Sequence, residues 1–309
     1  MAHEKKINRT GWYFILPVAL LLAIFLLYPI FYSLYLTTTR TKGIVTTFIG
    51  FGNYIKLFND PMFFLALKNT FKILFIQVPI MLISAIIFAS LLNNKKIKFR
   101  GFFRTAIFLP SVTSLIAYAI LFKMLFSYEG IINNALLTLN FIDKPLDWFS
   151  EPTLATIVLI LAMVWRWTGY NMIFYLSAMQ NISSDLYEAA KVDGASEIKS
   201  FFHITIPLLR PMILFTTVMS TIGTLQLFDE PMNLAQSGTT SSMIGPNNCF
   251  LTLSVYIYNL CFKYTPKFGY AATVSYAILV LVAILSFIQF KISNKSEQTV
   301  SKRIKASVK

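Results

Sequence analysis

The chain has 309 residues, 56% of them hydrophobic and only 13% charged, with 29 phenylalanines and a mean hydropathy of +0.64. Soluble domains carry about 25% charged residues, so a water-soluble enzyme or binding domain is excluded. The net charge of +14 does not indicate nucleic acid, because the basic residues flank long apolar runs instead of forming one aromatic-interleaved patch; anionic lipid headgroups and membrane topology account for them.

Residues 1–9 are short and basic. The apolar run over 12–36 is too long for the core of a cleavable signal and has no small-residue cleavage pattern behind it, so it is expected to stay as a membrane anchor. Pro17 and Pro29 inside it predict a bent first segment. Residues 37–68 are polar and turn-rich. A second span is expected over 69–92, with Lys72 snorkelling near its start, and leads into a dense positive connection, Lys95, Lys96, Lys98 and Arg100. The third span is expected over 102–126 and the fourth over 153–179. Between them Glu129, Asp143, Asp147 and Glu151 face a single Lys144. A fifth span over 212–235 and a sixth over 268–292 follow. The apolar stretch 251–262 is shorter than the roughly 20 residues a crossing needs and is expected to lie at the outer surface or tucked against the bundle. Residues 293–309 form a polar, basic tail.

With the N-terminus inside, the inner connections hold sixteen Lys and Arg and the outer ones seven, the asymmetry that sets orientation. The expected fold is all-α integral membrane, about six transmembrane helices with both termini cytoplasmic. Residues 183–211 then lie on the cytoplasmic side.

That stretch reads SSDLYEAAKVDGASEIKSFFHITIPLLRP, too charged for lipid and too patterned for a linker. Asp185 and Glu188 have capping-box spacing, and Leu186, Ala189, Ala190 and Val192 give a short helix one apolar stripe. Gly194 ends it, supplying the positive φ of a sharp turn. Ser196 is placed to cap a second short helix through Phe201, Phe202 and Ile204, with Pro207 and Pro211 fixing the start of the next apolar segment.

Glu188-Ala189-Ala190, then Gly194, then Ile206-Pro207 after a helical spacer, resembles the EAA loop of membrane subunits of binding-protein-dependent ABC importers. The forms LYEAAKVDGAS and FFHITIPLLRP resemble the carbohydrate-uptake branch, as in maltose, lactose and arabino-oligosaccharide permeases. FIGFGNYIKLFNDPMFFLALKNTF before the second span and FFRTAIFLPSVTS in the third are similar to the same branch, and the resemblance runs from about Phe14 to Phe290. It implies one permease domain over 1–309 in a bacterial cytoplasmic membrane. The implied partners are a second, homologous permease, two ATPase subunits, an extracytoplasmic sugar-binding protein, the sugar and membrane lipid. In the family the matching glutamate faces the ATPase, which makes Glu188, Ala189, Ala190, Asp193 and Gly194 the coupling candidates. One departure stands out: the GGP-like turn usual after the fifth span is replaced by Gln236-Ser237-Gly238-Thr239, with Gly245-Pro246 further on.

No catalytic constellation is visible. His3 and His203 are the only histidines, and GxSxG, HExxH, CxxC and GxxxxGK[ST] are absent. The chain is therefore expected to carry no cofactor and not to hydrolyse ATP, which with Mg belongs by resemblance to partner ATPase subunits. Cys249 and Cys261 are the two cysteines; free thiols are expected, with a bridge open if their loop is extracytoplasmic.

The candidate substrate path centres on the fourth span. Arg166 in its middle costs about 2.5 to 3.5 kcal/mol to insert and must face a polar cavity or a carboxylate. Asp229 and Glu230 are the nearest candidates, so a structural Arg–carboxylate pair and a substrate-facing role both stand. Sugars need aromatic platforms beside amides and carboxylates. Trp167, Tyr170, Asn171, Ser220, Thr224, Gln226, Asp229, Glu230 and Asn233 supply that mixture, against the competing reading of aromatics as packing or interface residues. Rival functions are import of another solute, such as a glycerol phosphate or polyamine, and an ion-coupled carrier. The latter would need an internal repeat and titratable residues along its path. Neither is evident apart from Arg166, Asp229 and Glu230.

Overall fold

The computed structural model describes residues 2–42, 45–94, 96–235, 244–263 and 265–307. The first apolar stretch is helical in three pieces: α1 (Ala2–Leu22), a π-helical turn (Ala23–Leu27) and α2 (Tyr28–Thr37). Pro29 has no N–H for the carbonyl of Phe25, four residues back, and the π turn absorbs the misfit. A two-stranded antiparallel hairpin follows, β1 (Thr39–Lys42) with β2 (Val45–Phe48), Thr39 opposite Phe48. This hairpin is a small addition to the all-α expectation. Next come α3 (Gly52–Phe58) and α4 (Pro61–Asn93), the latter starting well before the expected 69.

The third span is not one helix. It is α5 (Arg100–Val112) and α6 (Leu115–Leu125), bent by 101° at Thr113-Ser114. Pro110 lies in the last turn, and the Ser111 and Thr113 hydroxyls donate to the carbonyls of Phe108 and Pro110, each at 2.7 Å. Hydroxyls that compete with backbone donors stop helices. A reading by hydropathy alone runs through such a break.

In the acidic connection, α7 (Ile131–Thr138) is fastened by buried Asn133, whose Nδ2 donates to the Leu146 carbonyl at 2.9 Å and whose Oδ1 accepts from Trp148 Nε1 at 3.0 Å. α8 (Pro152–Gln180) is continuous. After α9 (Ser184–Val192), α10 (Glu197–Ser200) runs through a π turn (Phe201–Thr205) into α11 (Ile206–Leu225). The second short helix expected in the loop is thus the first turn of the fifth span, continuous over Glu197–Leu225. Pro207 again follows a π turn, which contains His203, the residue whose carbonyl it leaves without a donor. The fifth span also ends earlier than 235, because α12 (Asp229–Ala235) is a separate short helix.

The substitute turn Gln236-Ser237-Gly238-Thr239 lies outside the described residues. Gly245 takes φ +72° before a 3₁₀ turn (Pro246–Asn248). α13 (Leu253–Tyr258) is tucked in, with Leu253 and Val255 fully buried. The last helix, α14 (Phe268–Ser307), continues through the expected tail. Among the described residues five helices are long and apolar enough to cross a membrane, and six if α5 and α6 count as one broken span.

The chain divides into two compact units. In the unit of residues 1–63 and 256–279, Asn53 Nδ2 donates to the carbonyls of Thr37 and Thr39, both at 2.8 Å, fixing the hairpin's start. Asp60 Oδ2 accepts from the Tyr256 and Tyr270 hydroxyls. Burial pushes the Asp60 carboxyl up, but those two bonds and the N–H groups of Met62 and Phe63 outweigh it and hold it below the usual value. Lys56, 4.3 Å from the Tyr270 ring centre, is held below its usual value by burial and by the charges of Lys267 and Arg40, with Asp60 opposing. The other unit, 64–255 and 280–309, is built on α8, whose Ala155, Val158, Leu159, Ala162 and Met172 are fully buried.

Candidate functional site

On α8, Met163, Arg166, Trp167, Tyr170, Asn171 and Phe174 recur at helical spacing and share one face; on α11, Phe215, Thr216, Met219, Ser220, Gly223 and Thr224 do the same. The two faces border a cavity of about 480 Å³, joined by Gln77 and Met81 of α4, Leu115 of α6 and the turn from Gln226 to Glu230. That volume falls within the roughly 300–1,000 Å³ of small-molecule sites. The structure brings Arg166, Trp167, Tyr170, Asn171, Ser220, Thr224, Gln226, Asp229 and Glu230 together around this space. Asn233 does not line it; its Nδ2 donates to the Asp229 carbonyl of its own helix at 2.8 Å. Sequence reading missed Gln77, Met81, Phe174, Phe215, Thr216 and Met219. Extending the Arg166 and Ser220 faces by one helical repeat finds four of these, but nothing in the sequence singles out Gln77 or Met81.

Arg166 is buried, at 7% exposure; it lines the cavity, as one of its two expected placements requires, while its partners overturn the other, the carboxylate pair. Nη1 donates to the Thr113 carbonyl at 3.0 Å, and Nη2 lies 3.5 Å from the Ser111 carbonyl. These oxygens end α5, where a helix has carbonyls without intrahelical donors and a negative dipole end. A guanidinium meets both needs. Its charge also sits 5.3 Å from the Tyr118 ring centre and 5.6 Å from that of Trp167. Glu230 is bound instead by Trp167, whose Nε1 donates to Oε1 at 3.1 Å. The α5–α8 approach depends on Gly169, since a Cβ there would come within 1.9 Å of the Ile107 carbonyl oxygen.

An aromatic series runs along the cavity. Trp167 meets Tyr170 edge-on at 5.8 Å, Tyr170 meets Phe174 at 5.1 Å, and Phe174 meets Phe215 across to α11 at 5.8 Å. Polar groups stand beside it: Asn171 Nδ2 donates to the Trp167 carbonyl at 3.0 Å, and the Thr224 hydroxyl lies 3.2 Å from Gln77 Oε1. Such a lining can stack an apolar ring face and exchange hydrogen bonds with hydroxyls.

The coupling candidates sit apart from the cavity, on the α9 loop. Ser183, not Asp185, is the N-cap: its Oγ accepts from the Asp185 N–H at 3.3 Å, and Asp185 is in the first turn. A serine two residues upstream had the better geometry for the cap. At the other end Gly194 takes φ +75°, with its N–H bonded to the Lys191 carbonyl and that of Ala195 to the Ala190 carbonyl, a Schellman closure. Ser196 caps the next helix, accepting from the Lys199 N–H. The Tyr187 hydroxyl is 2.8 Å from Thr205 Oγ1 and ties α9 back to the π turn. Glu188, Ala189, Asp193 and Gly194 are exposed and Ala190 half-buried, beside exposed Leu186, Val192 and Ile198.

Cys249 and Cys261 are free thiols, and burial pushes the Cys249 thiol up to about 11. Among the described residues no group of three or more His, Cys, Asp or Glu is placed to hold a metal ion.

Several membrane-length helices, one span of them broken, with a polar, aromatic-lined cavity and an exposed capped loop define a multi-pass membrane transport subunit. Residues 62–296 match the family model described as binding-protein-dependent transport system inner membrane component, and the chain belongs to that family. It is 53% identical over 280 residues to the lactose transport system permease protein LacF of Rhizobium radiobacter, covering 91% of this chain and 92% of that one. It is 33% identical over 282 residues to the arabinooligosaccharides transport system permease protein AraP of Bacillus subtilis (strain 168), covering 91% and 87%. Its fold matches the crystal structure of a bacterial ABC transporter involved in the import of the acidic polysaccharide alginate, with a TM-score of 0.80 and 24% identity over 96% of this chain and 99% of that one.

Proposed function

We propose that this chain is the permease subunit of an ATP-driven ABC importer that carries a di- or oligosaccharide across a bacterial cytoplasmic membrane by alternating access. The observation that carries the reading is the cavity between α8 and α11, where Trp167 and Tyr170 offer ring platforms and Asn171, Ser220, Thr224 and Gln226 offer hydrogen-bonding groups. The family membership and the sugar permeases among the relatives support it. In this reading an external sugar-binding protein delivers the substrate, a second permease completes the path, and two ATPase subunits bind ATP and Mg. Both termini and the α9 loop lie in the cytoplasm, where Glu188 and Gly194 meet the ATPase. The chain itself performs no hydrolysis.

The test is uptake of a labelled disaccharide by cells with and without the gene. Loss on deletion and return on complementation support the reading. Unchanged disaccharide uptake with loss of glycerol phosphate or polyamine uptake replaces the sugar by that solute.

A further inference from the structure

The cavity's charge is unbalanced in a way that bears on which sugars pass. Three charged side chains line it: Arg166, Asp229 and Glu230. Arg166, the one cation among the described lining residues, already has partners. Arg166 turns its Nη atoms to the Ser111 and Thr113 carbonyls, and its Nε is buried without a partner and closed to solvent. At 7% exposure, and with each Nη already bonded to a carbonyl, it presents little of its charge to an incoming anion. The carboxylates are differently placed: Asp229 is exposed, and Glu230, 5% exposed, has one oxygen held by Trp167. A substrate stacked on Trp167 meets the residue that binds Glu230.

We propose that Asp229 and Glu230 make this cavity a charge filter that admits neutral sugars and rejects sugar acids, an inference that rests on the sugar-path reading above. Like charges repel, and the more strongly the less water lies between them. Rings of acidic side chains exclude anions from narrow membrane paths by the same rule. A uronate or sugar phosphate would lose hydration here and meet two carboxylates against one cation that is already bonded to two carbonyls. A neutral disaccharide donates hydroxyl hydrogens to the same carboxylates, which accept and cannot donate. The filter is thus attractive to one class and repulsive to the other.

The experiment uses the complete transporter in lipid nanodiscs without its external binding protein, so that no other protein selects the sugar. Saturation-transfer NMR is recorded with lactose and with digalacturonate, and Trp167→Ala serves as the cavity control. Transfer to lactose but not to digalacturonate, lost in the control, is expected of the native complex. Asp229→Asn with Glu230→Gln should raise digalacturonate affinity by about tenfold or more, a change of about 1.4 kcal/mol. Equal binding of both sugars to the native complex overturns the filter, as does a neutralised variant that still rejects digalacturonate while binding lactose. If neither sugar binds, the sugar-path reading itself fails and the filter falls with it.

Discussion

Arg166 Nη1 donates to the carbonyl oxygen of Thr113 at 3.0 Å, joining two helices across 53 positions of sequence. Removing one partner of a buried bond to a charged group costs about 1.5 to 3 kcal/mol. Arg166→Gln should therefore lower the thermal stability of the detergent-purified complex by an amount of that order. Arg166→Lys should recover part of it, as a point charge that cannot fork between two carbonyls. Adding Glu230→Gln to Arg166→Gln should restore nothing, because the two are not each other's partners. Rescue by that second change would return the arginine to a carboxylate pair.

Gly169 sets the α5–α8 approach. Gly169→Val places branched carbon where the Ile107 carbonyl already stands 1.9 Å from an ideal Cβ. The helices must separate, at about 1 to 3 kcal/mol or more for overpacking. The variant should be poorly assembled, and Gly223→Ala, with open space around its Cβ position, close to normal. Equal abundance of the two in membranes would remove the close approach.

The Tyr187–Thr205 bond makes the α9 loop one piece with the start of the fifth span. Tyr187→Phe and Thr205→Val should each keep the complex assembled and its ATPase active while reducing sugar moved per ATP hydrolysed. The double variant should be no worse than either single one, as expected when both remove the same interaction. Additive losses would mean the two act separately.

Asp60 gives a pH signature. Its folded value is depressed, so the stability it lends is complete above the ordinary carboxylate value of about 3.9 and is lost as the pH falls through the lower folded value. The melting-temperature gap between the native protein and Asp60→Asn should be constant from about pH 5 to 8 and close only in strong acid. A gap that closes between pH 7 and 5 would contradict the tyrosine cradle.

Helix existence was legible wherever twenty or so apolar residues ran together, because lipid leaves a backbone no other way to satisfy itself. The α9 loop was legible down to Gly194 and Ser196, since caps and turns act over three or four residues. The break at Thr113-Ser114 was not. Its cause is local, Pro110 with two hydroxyls, but its partner is Arg166 on another helix, and pairing across helices leaves no periodic mark. Arg166 was read rightly as a residue that must face a cavity or a partner, and it lines the cavity; of the two readings left standing, the carboxylate pair gives way to carbonyls, for carboxylates are visible in a sequence and free carbonyls are not. The aromatic cavity face on α8 was partly seen because Trp167, Tyr170 and Asn171 share a helical face, while α4's share of the lining depends on packing alone.

The 101° bend between α5 and α6 also constrains the order of biosynthesis. Pieces of 13 and 11 residues reach only about 20 and 16 Å, so neither crosses a hydrocarbon core of about 30 Å alone. The exposed carbonyls at their junction find their donor in Arg166, which leaves the ribosome some fifty residues later. Each element is a poor membrane guest by itself: one has bare carbonyl oxygens and the other an unneutralised guanidinium. The third span cannot settle until the fourth arrives, and the two should enter lipid as a pair. A nascent chain stopped between them should remain within reach of the insertion machinery, measurable as crosslinking that ends once α8 has been made.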